Sequence, residues 1–179
     1  MIIIRRLTCA ILTPLTWQDW QIVILSLVIY GLVALPLGFL SGFLQFNPGL
    51  RSPGEVLSAI IKVLFFPALV EEIVFRVQLI PHPVEAVSLK TWVLWMVLSL
   101  GLFLIYHPLN ALTFYPEGNP TFWNPIFLIL AGFLGLICAL VYRLTGSLWG
   151  IVIIHGLIVF VWLYVLDGIN KLVKVNDSE

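Results

Sequence analysis

Long apolar runs, separated by short segments rich in proline, glycine and polar residues, dominate the chain of 179 residues. Each run is close to the ~20 residues that a helix needs to cross ~30 Å of hydrocarbon. Five runs are predicted as helical spans, at about 22–44, 55–80, 91–106, 125–142 and 148–166. The pattern therefore predicts an all-α fold, a polytopic transmembrane helical bundle of about five spans.

The segments outside the spans predict where the helices begin and end. Residues 1–15 are expected to form an interfacial lead and residues 167–179 a polar tail, with residues 1–179 forming a single membrane domain. Thr16 and Asp19 have the spacing of a capping box, so a helix is expected to begin near Trp17. Pro67 is expected to kink the second span, because proline removes a backbone hydrogen bond. The third span is expected to end at His107-Pro108.

Composition supports a membrane location and excludes some partners. The chain is 61% hydrophobic and 10% charged, against the roughly 25% charged residues of a soluble domain. We therefore expect an integral protein of the cell inner or plasma membrane, surrounded by lipid. Net charge is zero, so no basic field indicates nucleic-acid binding. Cys9 and Cys138 match no metal or redox spacing and are expected to be buried thiols.

Three ionisable residues, Glu71, Glu72 and Arg76, lie within the second apolar run. Each charge at bilayer depth costs at least roughly 2.5–3.5 kcal/mol, so it needs a partner or a hydrated pocket. Glu72 and Arg76 are four residues apart and are expected to pair on one helix face. Glu71 is then left free, as a carboxylate suited to proton transfer. The alternative is a polar contact between helices that carries no chemistry.

Two of the three histidines also lie in or at the end of spans. His155 is about seven residues into the fifth span, at a depth similar to that of Glu71. His107, at the end of the third span, is expected ~10 Å away in depth unless that helix tilts, kinks or starts earlier. His82, between two prolines, is expected to be solvated and without a role. A carboxylate and two imidazoles can activate water and stabilise an oxyanion, or can ligate a metal.

Three motifs together resemble the CPBP family, the CAAX prenyl protease and bacteriocin-processing (Abi) intramembrane proteases. They are Glu71-Glu72-x-x-x-Arg76, Phe103-x-x-x-His107 and Thr145-Gly146-Ser147-Leu148-Trp149 before His155, within residues 60–165. The resemblance implies an endopeptidase that hydrolyses a peptide bond of a membrane-associated protein or peptide.

The resemblance also implies a role for each of these polar residues. By it, Glu71 and His107 activate water, His155 helps to hold the oxyanion, and Glu72 and Arg76 support the site. The family has been described both as metal-dependent and as metal-free. A divalent metal such as zinc, bound by Glu71, His107 and His155, and a metal-free glutamate mechanism therefore both stay open.

One position departs from the family pattern. Val159 stands where the family often has Asn or Asp, four residues after the last histidine, so one oxyanion donor is missing. Asn110 is a candidate to replace it. The alternative is a non-catalytic relative that acts as a membrane scaffold or immunity factor. A small transporter or proton relay is a third possibility, although the chain has no inverted repeat.

Overall fold

The computed structural model describes residues 2–50 and 52–172, and its regular secondary structure is helical, without a β-strand in these ranges. The helices are α1 (Ile2–Leu12), α2 (Trp17–Leu40), α3 (Pro53–Val63), α4 (Val70–Glu72), α5 (Leu89–Leu112), α6 (Pro125–Thr145), α7 (Leu148–Tyr164) and α8 (Gly168–Leu172). Two π-helical turns, Leu64–Leu69 and Ile73–Val77, flank α4. The predicted all-α bundle is confirmed.

Three of these helices, α2, α5 and α6, are long and apolar enough to cross a membrane, by length and composition. The fifth predicted span is present as the apolar helix α7, of 17 residues. The second predicted span consists of α3, α4 and the two π-helical turns, with non-helical backbone at Phe66. These helices make the chain an integral membrane protein, because so much exposed apolar side-chain surface requires lipid around it.

Local sequence signals explain where the helices begin and end. Thr16 and Asp19 form the predicted capping box at the start of α2. A second capping box, Ser52 with Glu55, begins α3. Helix α6 ends at Thr145 and is capped by Gly146, whose φ of 66° is costly for residues with a side chain. A Cβ at this position would also lie 3.0 Å from Nε2 of His82.

The predicted end of the third span at His107-Pro108 is wrong. Helix α5 continues through Pro108 to Leu112. Proline removes only its own N–H from the helical ladder, and spans tolerate this when neighbouring helices pack around them. His107 therefore lies five residues before the helix end, ~8 Å along the axis. The longer helix reduces the predicted difference in depth between His107 and Glu71.

The second span is broken rather than bent. Phe66 has φ −147° and ψ 111°, which are not helical values. The residue before a proline is disfavoured in the α region, and Pro67 cannot donate a backbone hydrogen bond. The Glu71–Glu72 pair is thus carried by one α-helical turn between two wider π turns. Such turns are frequent at functional sites.

His82 is buried, so the prediction of a solvated residue is wrong. Its Nδ1 accepts from the Val84 N–H at 3.2 Å, and its Nε2 therefore donates to the Gly146 carbonyl at 3.0 Å. Burial lowers the pKa of His82 below its ordinary value, which favours this neutral form.

The outer segments and the cysteines differ in part from the expectations. The predicted lead contains a helix, α1. Residues 168–172 of the predicted tail are also helical, and residues 173–179 lie outside the described residues. Cys138 is buried as predicted, whereas Cys9 is only partly buried, so the prediction was wrong for Cys9.

Candidate active site

A cavity of about 1030 Å³ lies within the bundle, bounded mainly by α2, α5, α6, α7 and the turn around Phe66. Its walls are mostly aliphatic and aromatic. Its strongly polar lining residues are Glu71, His107, Asn110 and His155. The structure therefore brings Glu71 and both histidines, which come from three separate helices, to one cavity.

Glu72 lies at the centre of the polar cluster and is fully buried. Its Oε2 is 3.4 Å from Nε of Arg76, so the predicted pair is present. Its Oε1 is 2.7 Å from Nδ1 of His155. Because an ionised carboxylate only accepts, Nδ1 of His155 is the donor. Glu72 therefore neutralises Arg76 and also orients His155, a contact that sequence spacing did not reveal.

Glu71 has a different environment from its neighbour. Its Oε2 lies 3.7 Å from Nε2 of His155, which is too long for a hydrogen bond. Within the described residues, its carboxylate has no hydrogen bond, and no ion pair with Arg76 is formed. The carboxylate lines the cavity, so both oxygens are available to a water molecule or a substrate.

His107 is held by its own helix and by aromatic rings. Its Nδ1 donates to the Phe103 carbonyl at 2.8 Å, since a carbonyl oxygen can only accept. In the neutral imidazole, Nε2 then carries the lone pair. The rings of Phe103, Phe122 and Phe127 meet the imidazole in T-shaped contacts with centroids 4.7–5.5 Å away. The hydrogen bond thus fixes the tautomer, and the aromatic contacts fix the ring orientation.

Arg76 depends on two residues to which sequence reasoning assigned no role. Within the described part of the chain, Nη1 and Nη2 have no hydrogen-bond partner, but the guanidinium carbon lies 4.2 Å from the centre of the Phe103 ring. A Cβ at Gly135 would be 2.6 Å from Nη2 of Arg76. The sequence does contain a signal for this contact. Glycine inside a helix costs ~1 kcal/mol relative to alanine, so Gly135 within an apolar helix indicates close packing at that position.

The metal alternative requires Glu71, His107 and His155 to converge on one ion. In the two described ranges, no group of three or more His, Cys, Asp or Glu residues is positioned to hold a metal ion. Nδ1 of His107 and Nδ1 of His155 are already hydrogen-bonded. Each Nε2 remains free, and a histidine that binds a metal typically donates its other N–H to a carboxylate or carbonyl in this way.

Val159 and Asn110, the two residues considered in connection with oxyanion stabilisation, also line the cavity. Val159, one helical turn after His155, contributes a branched apolar side chain where the family often has an amide or carboxylate. Asn110 lines the same cavity from α5, three residues after His107. An amide that could serve as a donor is therefore in the cavity, on a different helix from the one that the family pattern uses.

The comparisons with known proteins give one family match. The family model described as type II CAAX prenyl endopeptidase Rce1-like matches residues 53–161, more than half of the chain. No curated protein and no solved structure matches. The matched residues include both glutamates, Arg76, His107 and His155. The chain therefore belongs to the Rce1-like family of type II CAAX prenyl endopeptidases, as the resemblance of its motifs indicated.

Proposed function

We propose that the chain is an intramembrane endopeptidase that hydrolyses a peptide bond of a membrane-associated protein or peptide with water activated by Glu71 and His107. The observation that carries this proposal is the Glu71 carboxylate. It has no hydrogen bond among the described residues and lines a cavity together with His107 and His155. A buried carboxylate of this kind is costly in a membrane and is more often functional than structural.

The tautomer of His107 suits it to orient the attacking water. Because Nδ1 donates to the Phe103 carbonyl, Nε2 can accept a hydrogen bond from water. Glu71 then takes a proton from that water as it attacks the substrate carbonyl, and returns the proton to the leaving amine. Both groups act from fixed positions, which lowers the entropic part of the barrier.

His155 is suited to stabilise the oxyanion. In its protonated form it donates from Nδ1 to Glu72, and its Nε2–H faces the cavity beside Glu71. A donor held in place before the reaction stabilises developing charge more than a mobile one does. Glu72 and Arg76 support the site through this orientation and through charge balance.

The shape of the cavity supports an apolar substrate segment. Most lining side chains are aliphatic or aromatic, while the polar groups occupy few positions. This is the usual distribution in pockets that bury most of an apolar ligand and orient it with a few polar contacts. A peptide with an apolar or lipid-modified segment fits this description. The family description names CAAX prenyl endopeptidases, so a prenylated CAAX peptide is one candidate substrate.

The test is cleavage by the purified protein in lipid nanodiscs, with products identified by mass spectrometry. The substrate panel contains peptides with membrane-spanning segments and CAAX peptides with and without a prenyl group. We expect cleavage at a defined bond that a chelator does not abolish, because the candidate ligands do not form a metal site. Loss of turnover with a chelator and recovery with zinc would contradict the metal-free mechanism.

A non-catalytic relative that acts as a membrane scaffold or immunity factor is the second candidate, and Val159 favours it. If wild type binds panel peptides but cleaves none, this candidate gains support. The inner or plasma membrane is the expected location in either case.

Val159→Asn is expected to separate the two candidates. The substitution adds an amide that faces the same cavity as His155. In a protease that lacks one oxyanion donor, kcat should rise by about tenfold or more, with little change in KM, because the contact forms mainly in the transition state. Steady-state kinetics with a cleavable peptide measures the effect.

Val159→Ile is the matched control, since it alters the same position without adding a donor, and its kcat should not rise. A lower kcat for Val159→Asn than for wild type would contradict the missing-donor interpretation. In that case Asn110→Ala should reduce kcat, because Asn110 is the amide already in the cavity.

A further inference from the structure

Helix α1 lies outside the region that the family model matches, yet it contacts both segments that carry the candidate active site. The match begins at residue 53, whereas α1 spans Ile2–Leu12. Ala10 of this helix has no exposed surface. The helix is therefore packed into the protein, although its outer face carries exposed isoleucines.

From the middle of α1, Arg6 binds the segment that follows Glu71 and Glu72. Its Nε and Nη2 donate to the two carboxylate oxygens of Glu85, at 2.7 and 2.8 Å. Its Nη1 donates to the Gln78 carbonyl at 2.8 Å. That carbonyl lies directly after the π turn Ile73–Val77, where helix carbonyls lack partners and a cation is favourable. Arg6 thus anchors the end of the segment that carries the glutamates.

At its C-terminal end, the same helix binds the beginning of α7. The Ile11 carbonyl accepts from Nε1 of Trp149 at 2.9 Å. The Thr13 carbonyl, just beyond α1, accepts from Oγ of Ser147 at 2.8 Å. Ser147 is fully buried. Helix α7 carries His155 two turns further on, so α1 connects the glutamate segment with the histidine helix.

We propose that α1 is a strap that sets the position of the glutamate segment relative to α7, with Arg6 as its positioning residue. This inference rests on the proposed function, because the strap would align the groups that act on the substrate. The Glu72–His155 hydrogen bond of 2.7 Å joins the two strapped elements. A misplacement of ~1 Å in an active site can cost ~10²-fold in rate, so this alignment matters for turnover.

A second contact joins the same two regions without α1. His82 follows the glutamate segment and donates to the Gly146 carbonyl, just before α7. Loss of Arg6 should therefore shift the two elements without separating them. The expected effect is a partial loss of turnover in a folded protein.

The test compares Arg6→Ala with Arg5→Ala in lipid nanodiscs. Arg5 is exposed on the same helix and carries the same charge, so it is the matched control. The kinetics are measured at a temperature well below the melting temperature of each variant. For Arg6→Ala we expect kcat to fall about tenfold or more, with KM changed less than about twofold. Arg6→Lys should recover part of the loss, because it retains one charged donor. Trp149→Phe, which removes the donor to Ile11 and part of a half-exposed ring, should give the same pattern to a smaller degree.

Hydrogen exchange followed by mass spectrometry provides a readout that does not depend on turnover. Arg6→Ala should increase amide exchange in residues 70–80 and 148–156, and Arg5→Ala should not. Unchanged exchange in both segments would overturn the strap whether or not wild type cleaves a peptide. Increased exchange with kcat equal to that of Arg5→Ala would overturn the positioning role of Arg6. Absence of cleavage by wild type would instead count against the proposed function, and exchange alone would then decide on the strap.

Discussion

Glu71→Gln is expected to abolish peptide cleavage while the protein stays folded in the membrane. Glutamine has nearly the same shape as glutamate but cannot take a proton from water, so the loss should be at least ~10²–10⁴-fold in kcat. The fold should survive because the Glu71 carboxylate has no hydrogen bond with another described residue, and Nε2 of His155 lies 3.7 Å from it. Cleavage kinetics and the melting temperature, measured on the same preparation, check both parts.

Glu117→Gln is the matched control for this prediction. It makes the same chemical change at an exposed residue in the loop between α5 and α6. Its kcat should equal that of wild type. If Glu71→Gln cleaves at the wild-type rate, in an assay in which heat-denatured protein shows no turnover, Glu71 is not the catalytic base.

The main expected effect of Glu72→Gln is a loss of stability of the folded protein. The substitution removes the only carboxylate within 4 Å of Arg76 among the described residues, and both side chains are fully buried. Breaking a buried ion pair by neutralising one partner typically costs about 3–5 kcal/mol, because the other charge stays uncompensated. His155 also loses a charged acceptor. We therefore expect a lower melting temperature and, in the folded fraction, a lower kcat.

The double variant Glu72→Gln/Arg76→Met separates these two effects. Removing both charges should restore much of the stability, because a neutral pair avoids the desolvation cost. Turnover should stay low, since His155 still lacks its carboxylate partner. Full stability of the single variant Glu72→Gln would contradict the charge-balance role. Recovery of both stability and turnover in the double variant would contradict the orientation of His155 by Glu72.

Contacts between residues that are neighbours along one helix could be predicted correctly from the sequence. The pairing of Glu72 with Arg76 and the separation of Glu71 from it follow from helical spacing alone. The capping box at Thr16 is equally local and was also predicted correctly. Such features depend on a few covalently close residues, so the surrounding fold changes them little.

Predictions about long helices were less reliable at prolines. The same residue type had opposite effects at two positions: α5 continues through Pro108, whereas the chain leaves helical geometry at Phe66 before Pro67. Local propensity is similar in both cases. Packing of the neighbouring helices decides whether the backbone groups freed by proline find other partners, and spacing along the chain does not contain that information.

The membrane bundle, the family and the identity of the polar groups could be predicted from the sequence alone, because apolar length and motif order are properties of the chain. Which of these groups touch depends on the packed fold. The Glu72–His155 hydrogen bond joins residues 83 positions apart, and the bond of Arg6 to the Gln78 carbonyl joins residues 72 positions apart. Such contacts depend on how helices pack against one another, as at Gly135, where the lack of a Cβ leaves room for the Arg76 guanidinium.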